Sequence, residues 1–247
     1  MNNDDNFFTD FGFKKIKINE KVKLVKEVFD NVANHYDLMN DLMSLGSHRL
    51  WKKSFVNLID PKAEDIIGDI GGGTGDISIG LAKKCSNIYC IDINENMLSI
   101  GKNKALNNGY TSSINFIQGD AQQLPLTDSF LTKYAISFCI RNVTDINQAL
   151  KEAYRVLKPN GKFFCLEFSH VKNELLSSLY EFWSFHIIPQ IGKYIANNQE
   201  AYQYLVESIN KFPSQEEFKT MIENAGFKNV KYKNILNGIA TIHYGDK

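Results

Sequence analysis

Three aspartates end successive apolar runs: Asp69 in Ile66-Ile-Gly-Asp, Asp92 in Ile88-Tyr-Cys-Ile-Asp, and Asp120 in Ile117-Gln-Gly-Asp. The first leads straight into glycines at 71, 73 and 75. Glycine has no β-carbon and tolerates positive φ, so such a turn lets backbone approach a ligand, and the helix it opens offers unpaired N–H groups. A dinucleotide fingerprint wants its third glycine three residues after the second, where this chain has Asp76. A carboxylate there repels a pyrophosphate, so a ligand with a cationic end is expected. Asp92 can accept both hydroxyls of a ribose; its competing role is to cap the next helix, for which Asn94 is equally placed. Asp120 can accept from an adenine amino group while the Ala121 amide donates to a ring nitrogen, and the three strand ends together make an adenosine site.

A fourth apolar run ends in Ser137-Phe-Cys-Ile-Arg141-Asn142, at the lip of the same cleft, where polar groups can face cofactor and substrate together. Tyr36, in a stretch rich in Tyr, Met, His and Trp, carries a polar tip that wants a partner. Most of that stretch reads as core-packing helix.

Alternation positions these residues. Strands are expected at 65–70, 88–93, 114–118, 134–138 and 162–168, with helices at 77–84, 95–107 and 146–157 between them, which implies a parallel sheet covered on both faces. A helix opened by Pro213 and Ser214 and a closing hairpin, 227–235 with 239–244, complete an α/β, Rossmann-like seven-stranded sheet, mostly parallel with its last strand antiparallel. Residues 1–60 divide into an arm with little structure of its own, to about residue 20, and a helical cap bearing an apolar stripe at Val22, Val25, Val28 or Phe29, and Val32. Residues 61–247 form the ligand-binding domain, with a helical lid insertion at about 171–212.

Composition excludes several classes. The 247 residues carry 28 basic and 28 acidic side chains, so no electrostatic footprint for nucleic acid stands out. The four cysteines form no Cys-x-x-Cys pair and the five histidines no ligand spacing, so the thiols are expected reduced and no metal site is expected. No apolar run reaches about eighteen residues, which excludes a membrane-spanning helix. The opening Met-Asn-Asn-Asp-Asp-Asn lacks the zones of a signal or transit peptide, so the mature protein is expected to begin there.

S-adenosylmethionine carries an ammonium and a sulfonium, and the segment from Asp69 to Asp76 resembles the first motif of the class I methyltransferases that use it. Further stretches, Tyr36 to Trp51, Asp92 to Leu98, Arg141-Asn-Val-Thr-Asp145, Tyr154 to Pro159 and Glu200 to Ser208, look like the ubiquinone/menaquinone biosynthesis C-methyltransferases, from about residue 12 to the end. The resemblance implies a class I methyltransferase fold and a cofactor site at Thr74, Asp92, Asp120, Ala121 and Ser137, beside Asp69, Gly71, Gly73 and Gly75 of the first motif. It also implies ring-carbon methylation of a polyprenylated quinol, either demethylmenaquinol or 2-polyprenyl-6-methoxy-1,4-benzoquinol or both. Gly68, where the family has an aliphatic residue, and Cys139, where glycine is common, depart from its pattern.

An aromatic carbon is a poor nucleophile until a neighbouring hydroxyl loses its proton, so something must stabilise an oxyanion. Arg141 can hold it or an ordered water, with Asn142 and Tyr36 orienting the hydroxyl or the water; an ion pair closing the strand end is the competing role for Arg141. Alternatives are a methyltransferase for another small molecule or lipid, or a non-catalytic scaffold that binds the cofactor within a quinone-synthesis complex. A lipid-tailed substrate implies peripheral membrane contact: in the cytoplasm against the inner membrane if the host is bacterial, on the matrix face of the mitochondrial inner membrane if eukaryotic. A homodimer or a quinone-synthesis complex is a further expected association.

Overall fold

Short runs rich in isoleucine, closed by glycine or a polar residue, make the central strands. The computed structural model describes residues 8–32, 40, 41, 44, 46–171, 183–190 and 199–247. The chain opens with β1 (Phe8–Phe11) and β2 (Lys14–Lys17), then α1 (Ile18–Val32) and α2 (His48–Ile59). The alternating part follows as β3 (Ile67–Ile70), α3 (Asp76–Ala82), β4 (Ile88–Asp92), α4 (Glu95–Asn107), β5 (Ile114–Gln118), β6 (Leu131–Ser137), α5 (Ile146–Val156) and β7 (Leu157–Phe168). It closes with α6 (Gln199–Lys211), α7 (Gln215–Asn224), β8 (Lys228–Ile235) and β9 (Ala240–Asp246).

The large sheet has the order β5-β4-β3-β6-β7-β9-β8; β3 to β7 run parallel, and β9 runs antiparallel to both of its neighbours. Strand order reverses at β3, which therefore opens a crevice at its carboxyl end. Side chains alternate between two cores. Ile67, Ala135 and Leu166 face a layer containing Phe55, Leu81 and Leu205, whereas Ile70, Ile136 and Cys165 face one built on Leu150, Ala153, Phe218 and Ile222. A β-carbon on Gly68 would meet Leu131 at 2.6 Å, so a neighbouring leucine fills the place of the family's aliphatic side chain.

The expected arm is a correction. Residues 8–17 form a hairpin, with Phe8 opposite Lys17 and Phe11 opposite Lys14. Its partners lie on α6: the Phe11 ring stacks on Tyr204 at 4.1 Å, and the Phe13 amide donates to Glu207 Oε2 at 2.9 Å. One strand boundary also moves. The fifth strand of the large sheet starts at Leu157 rather than at 162, with Asn160 at φ 64°. Ser214 and Glu217 form a capping box that starts α7 where Pro213-Ser214 signals it. Of the lid, Trp183–Ile187 forms a π-helical turn and α6 its last helix; Tyr36 and Asp37 lie outside the described residues, as do parts of the lid at 172–182 and 191–198.

Candidate active site

The turn after β3 holds three glycines in the left-handed region, Gly71, Gly73 and Gly75, at φ of 63°, 53° and 76°. A β-carbon on Gly71 would run into the Cys139 thiol, so bare backbone floors the cleft there. Asp92 reaches across from the end of β4. Its Oδ2 accepts from the Gly73 amide at 2.9 Å and its Oδ1 from the Asn94 amide at 2.8 Å. Asn94 is the helix cap, accepting from the Met97 amide at 3.1 Å, so Asp92 is spared that duty and keeps lone pairs for a vicinal diol. Burial pushes the Asp92 carboxyl above its ordinary value, partly countered by the backbone donors of Asn94 and Gly73.

The third wall is the loop after β5. Asp120 Oδ1 accepts from the Gln122 amide at 2.8 Å, and Glu152 Oε2 accepts from the Leu124 amide at 2.9 Å. Arg155 clamps the same loop, donating to the carbonyls of Leu124 and Leu126 while paired with Glu152 at 2.7 Å. The resulting cleft is lined by Gly71, Gly73, Asp92, Asp120, Ala121 and Asn142. Its fourth wall is α1, through Val22, Val25, Lys26 and Phe29.

Four expected cofactor residues lie outside this lining. Asp69 is 0 % exposed beneath the glycine turn, where its Oδ2 accepts from the Ser78 amide at 2.9 Å and the Ser78 hydroxyl at 2.6 Å. Burial pushes its carboxyl up to about 7. Thr74 is buried and its hydroxyl accepts from Lys104 Nζ at 3.3 Å. Gly75 is the N-cap residue of α3, and Ser137 is the half-buried last residue of β6.

Asp76 requires a correction in the reasoning that led to a cationic ligand. Its carboxylate is paired with Lys52 at 2.7 Å and Lys104 at 3.0 Å, and it lines a separate, lysine-rich hollow rather than the cleft. Burial opposes its ionisation, but the two lysines outweigh that and hold its pKa below the usual value. It is therefore neutralised within the fold and has no charge to spare for an ammonium.

Arg141 and Asn142 follow β6 in a short 3-10 turn, Ile140–Asn142. The Arg141 side chain is only 2 % exposed; Nη1 donates to Glu167 Oε1 and to the Phe138 carbonyl, each at 2.7 Å. Burial raises the Glu167 pKa, and the adjacent guanidinium offsets part of that rise. Arg141 is thus committed to the ion pair that closes the strand end and does not line the cofactor cleft. Asn142 does. Its Oδ1 accepts from the Tyr204 hydroxyl at 3.0 Å, while Nδ2, on a residue 7 % exposed, has no hydrogen-bond partner among the described residues.

Sequence reasoning missed Glu167 and Tyr204. A lone acid inside Phe163-Phe-Cys-Leu-Glu-Phe is the signal for the first, because a buried carboxylate needs a partner. Tyr204 lies in the Glu200–Ser208 stretch, but nothing local in that helix points to Asn142.

The model of the ubiE/COQ5 methyltransferase family matches residues 15–247. The "Ubiquinone/menaquinone biosynthesis C-methyltransferase UbiE" of Rickettsia bellii is 55% identical over 241 residues, covering 95% of this chain and 97% of that protein. The protein of the same name from Rickettsia prowazekii is 53% identical over the same shares. Among solved structures, a SAM-dependent methyltransferase of Thermotoga maritima superposes with a TM-score of 0.62 at 22% identity, covering 90% of this chain and 99% of that one. A Haemonchus contortus phosphoethanolamine N-methyltransferase, in complex with S-adenosylhomocysteine, gives 0.60 at 14% identity over 80% of this chain and 52% of that one. Five parallel strands with an antiparallel β9, a glycine turn facing Asp92 and a family match along nearly the whole chain lead to one assignment: the chain belongs to the ubiE/COQ5 methyltransferase family.

Proposed function

We propose that the chain transfers a methyl group from S-adenosylmethionine to a ring carbon of a polyprenylated quinol, demethylmenaquinol or 2-polyprenyl-6-methoxy-1,4-benzoquinol. The observation that carries the catalytic half is the Asn142 side chain: buried, facing the cleft, held through Oδ1 and with Nδ2 unpartnered among the described residues. The substrate half comes from the family and from relatives sharing more than half of the sequence.

The cleft suits the cofactor. A carboxylate with lone pairs to spare stands at Asp92, a second at Asp120, and backbone without β-carbons lies between them at Gly71 and Gly73. Asp92 would hold the ribose, and Asp120 with the Ala121 amide the adenine. Asp69 shapes the turn from below through Ser78. When bound, the cofactor supplies an electrophilic methyl group on sulfur.

The remaining work belongs to the chain. Transfer is an in-line displacement, so orientation and exclusion of water dominate. Asn142 Nδ2 donates to the quinol oxygen as it gains negative charge, which pushes electron density onto the ring carbon. Tyr204 holds the amide by its oxygen, which leaves Nδ2 as the end that can donate. Arg141, neutralised by Glu167, positions Asn142 from behind; Tyr36 is proposed to orient the same hydroxyl. The polyprenyl tail keeps the substrate in a bilayer, so we infer that the chain works against a membrane surface.

Purified protein is assayed with S-adenosylmethionine and each reduced demethylquinone in turn. Methylation of either supports the proposal and separates it from a non-catalytic scaffold; turnover of neither, with another acceptor methylated, removes it.

A further inference from the structure

The hairpin that replaces the expected arm has two unlike faces. Its register puts Phe11 and Lys14 on one side, and Phe8, Asp10, Lys15 and Lys17 on the other. The first side is fixed, since Phe11 stacks on Tyr204 of α6. The second faces outward with Phe8 62 % exposed. At the tip, Phe13 is 50 % exposed although it stacks on Phe185 at 6.0 Å. Ile18 and Val22, in the first turns of α1, extend the apolar surface at 36 % and 38 % exposure.

Charge surrounds these apolar groups. Residues 8–26 carry six lysines against two acids in a chain whose net charge is zero. Lys15 pairs with Asp10 at 3.0 Å, Lys23 lies 3.9 Å from Glu27, and Lys21 is buried against the Val143 carbonyl; Lys14, Lys17 and Lys26 are exposed, Lys17 on the same face as Phe8. Separated aromatic and aliphatic side chains amid lysines suit an interface of headgroups and acyl chains: the rings enter the acyl boundary while the ammonium groups meet lipid phosphates. A folded protein partner calls instead for a contiguous apolar patch with a core depleted of charge.

The position of the hairpin matters as much as its composition. α1 starts at the residue after β2, and its Val22 belongs both to the exposed surface and to the lining of the cofactor cleft. We propose that the β1–β2 hairpin and the first turn of α1 form a docking surface for anionic phospholipid, seating the α1 wall of the cleft at the bilayer where a tailed substrate resides. The inference rests on the quinol reading for its purpose, but its test does not.

The full chain is sedimented with vesicles of phosphatidylcholine alone and of phosphatidylcholine with phosphatidylglycerol. Two variants accompany it, Phe8→Ser with Phe13→Ser, and Lys14→Gln with Lys15→Gln and Lys17→Gln. Wild-type protein is expected to pellet with the anionic vesicles and not the neutral ones, and high salt and either variant are expected to lower that binding about tenfold or more. All three proteins are expected to turn over a short-chain, water-soluble demethylquinol equally, which also shows the variants to be folded. Wild-type protein left in the supernatant, equal pelleting with neutral vesicles, or variants that pellet like wild type would overturn the docking surface. Failure of wild-type protein to methylate the soluble quinol would strike the quinol reading instead, whatever the vesicles show.

Discussion

The Tyr204 phenol donates to Asn142 Oδ1 at 3.0 Å, linking α6 to the turn after β6 across 62 positions of sequence. Burial pushes the phenol's pKa well up, so it stays protonated and able to donate. The same ring carries Phe11 of the hairpin. A segment remote from the sheet thus holds the cleft amide that we propose meets the substrate.

Tyr204→Phe keeps the ring stack and removes only the hydroxyl. The Asn142 amide is then unrestrained on its acceptor side, and misorientation of this kind costs about tenfold to a hundredfold in turnover. Cofactor affinity is expected to stay unchanged, since Asp92 and Asp120 do not touch Tyr204. Single-turnover methylation beside calorimetric titration of the cofactor checks this; loss of both together would make Tyr204 a general packing residue.

The Arg141–Glu167 pair separates stability from catalysis. Arg141→Ala leaves Glu167 buried without its cation, which destabilises by roughly 3–5 kcal/mol, so lost turnover in that variant alone says little. Arg141→Met with Glu167→Leu removes both charges and is expected to regain most of the melting temperature, because a buried pair replaced by apolar groups is often neutral. If Arg141 acts only by positioning Asn142, the double variant keeps measurable turnover at or above about a hundredth of wild type. Complete inactivity in a folded double variant would return the guanidinium to the chemistry itself.

The sheet was legible because its signals are local: isoleucine-rich runs, Asn94 and Ser214 as caps, and Asn237-Gly238 between two strands each act within a few residues. The cleft was legible where strand ends carry it, at Gly71, Gly73, Asp92, Asp120 and Ala121. What escaped depends on distant partners. Phe11 needs Tyr204, Arg141 needs Glu167, and Asp76 meets Lys52 and Lys104 from two other helices. In the last case the sequence led to the right cofactor by a wrong step, since a carboxylate neutralised by two lysines exerts little pull on an ammonium.

That distinction is measurable. Asp92→Ala removes a charged acceptor from the ribose and the anchor of the Gly73 amide, and is expected to weaken cofactor binding by about tenfold to a hundredfold. Asp76→Asn is expected to shift it by less than about threefold, because the group is already paired within the fold. Titration calorimetry on both variants tests the order; a larger loss at Asp76 would restore its role toward the ligand.

Asp69 makes the stability of the fold depend on pH in an unusual direction. Its pKa rises from 3.8 to about 7, first because of burial and despite the two donors of Ser78, and its Oδ1 has no hydrogen-bond partner among the described residues. Below about pH 4 the group is protonated in both folded and unfolded chains, and above about pH 7 it is ionised in both. Between these values the folded state binds the extra proton, so this group's contribution to stability falls as pH rises, by roughly 1.4 kcal/mol per unit at most. Asp69→Asn keeps an acceptor for Ser78 and cannot ionise, so its melting temperature is expected to exceed that of wild type increasingly from pH 4 to 7, with a constant gap above. Parallel melting curves for the two proteins across that range would show instead that Asp69 is ionised throughout, sustained by Ser78 alone.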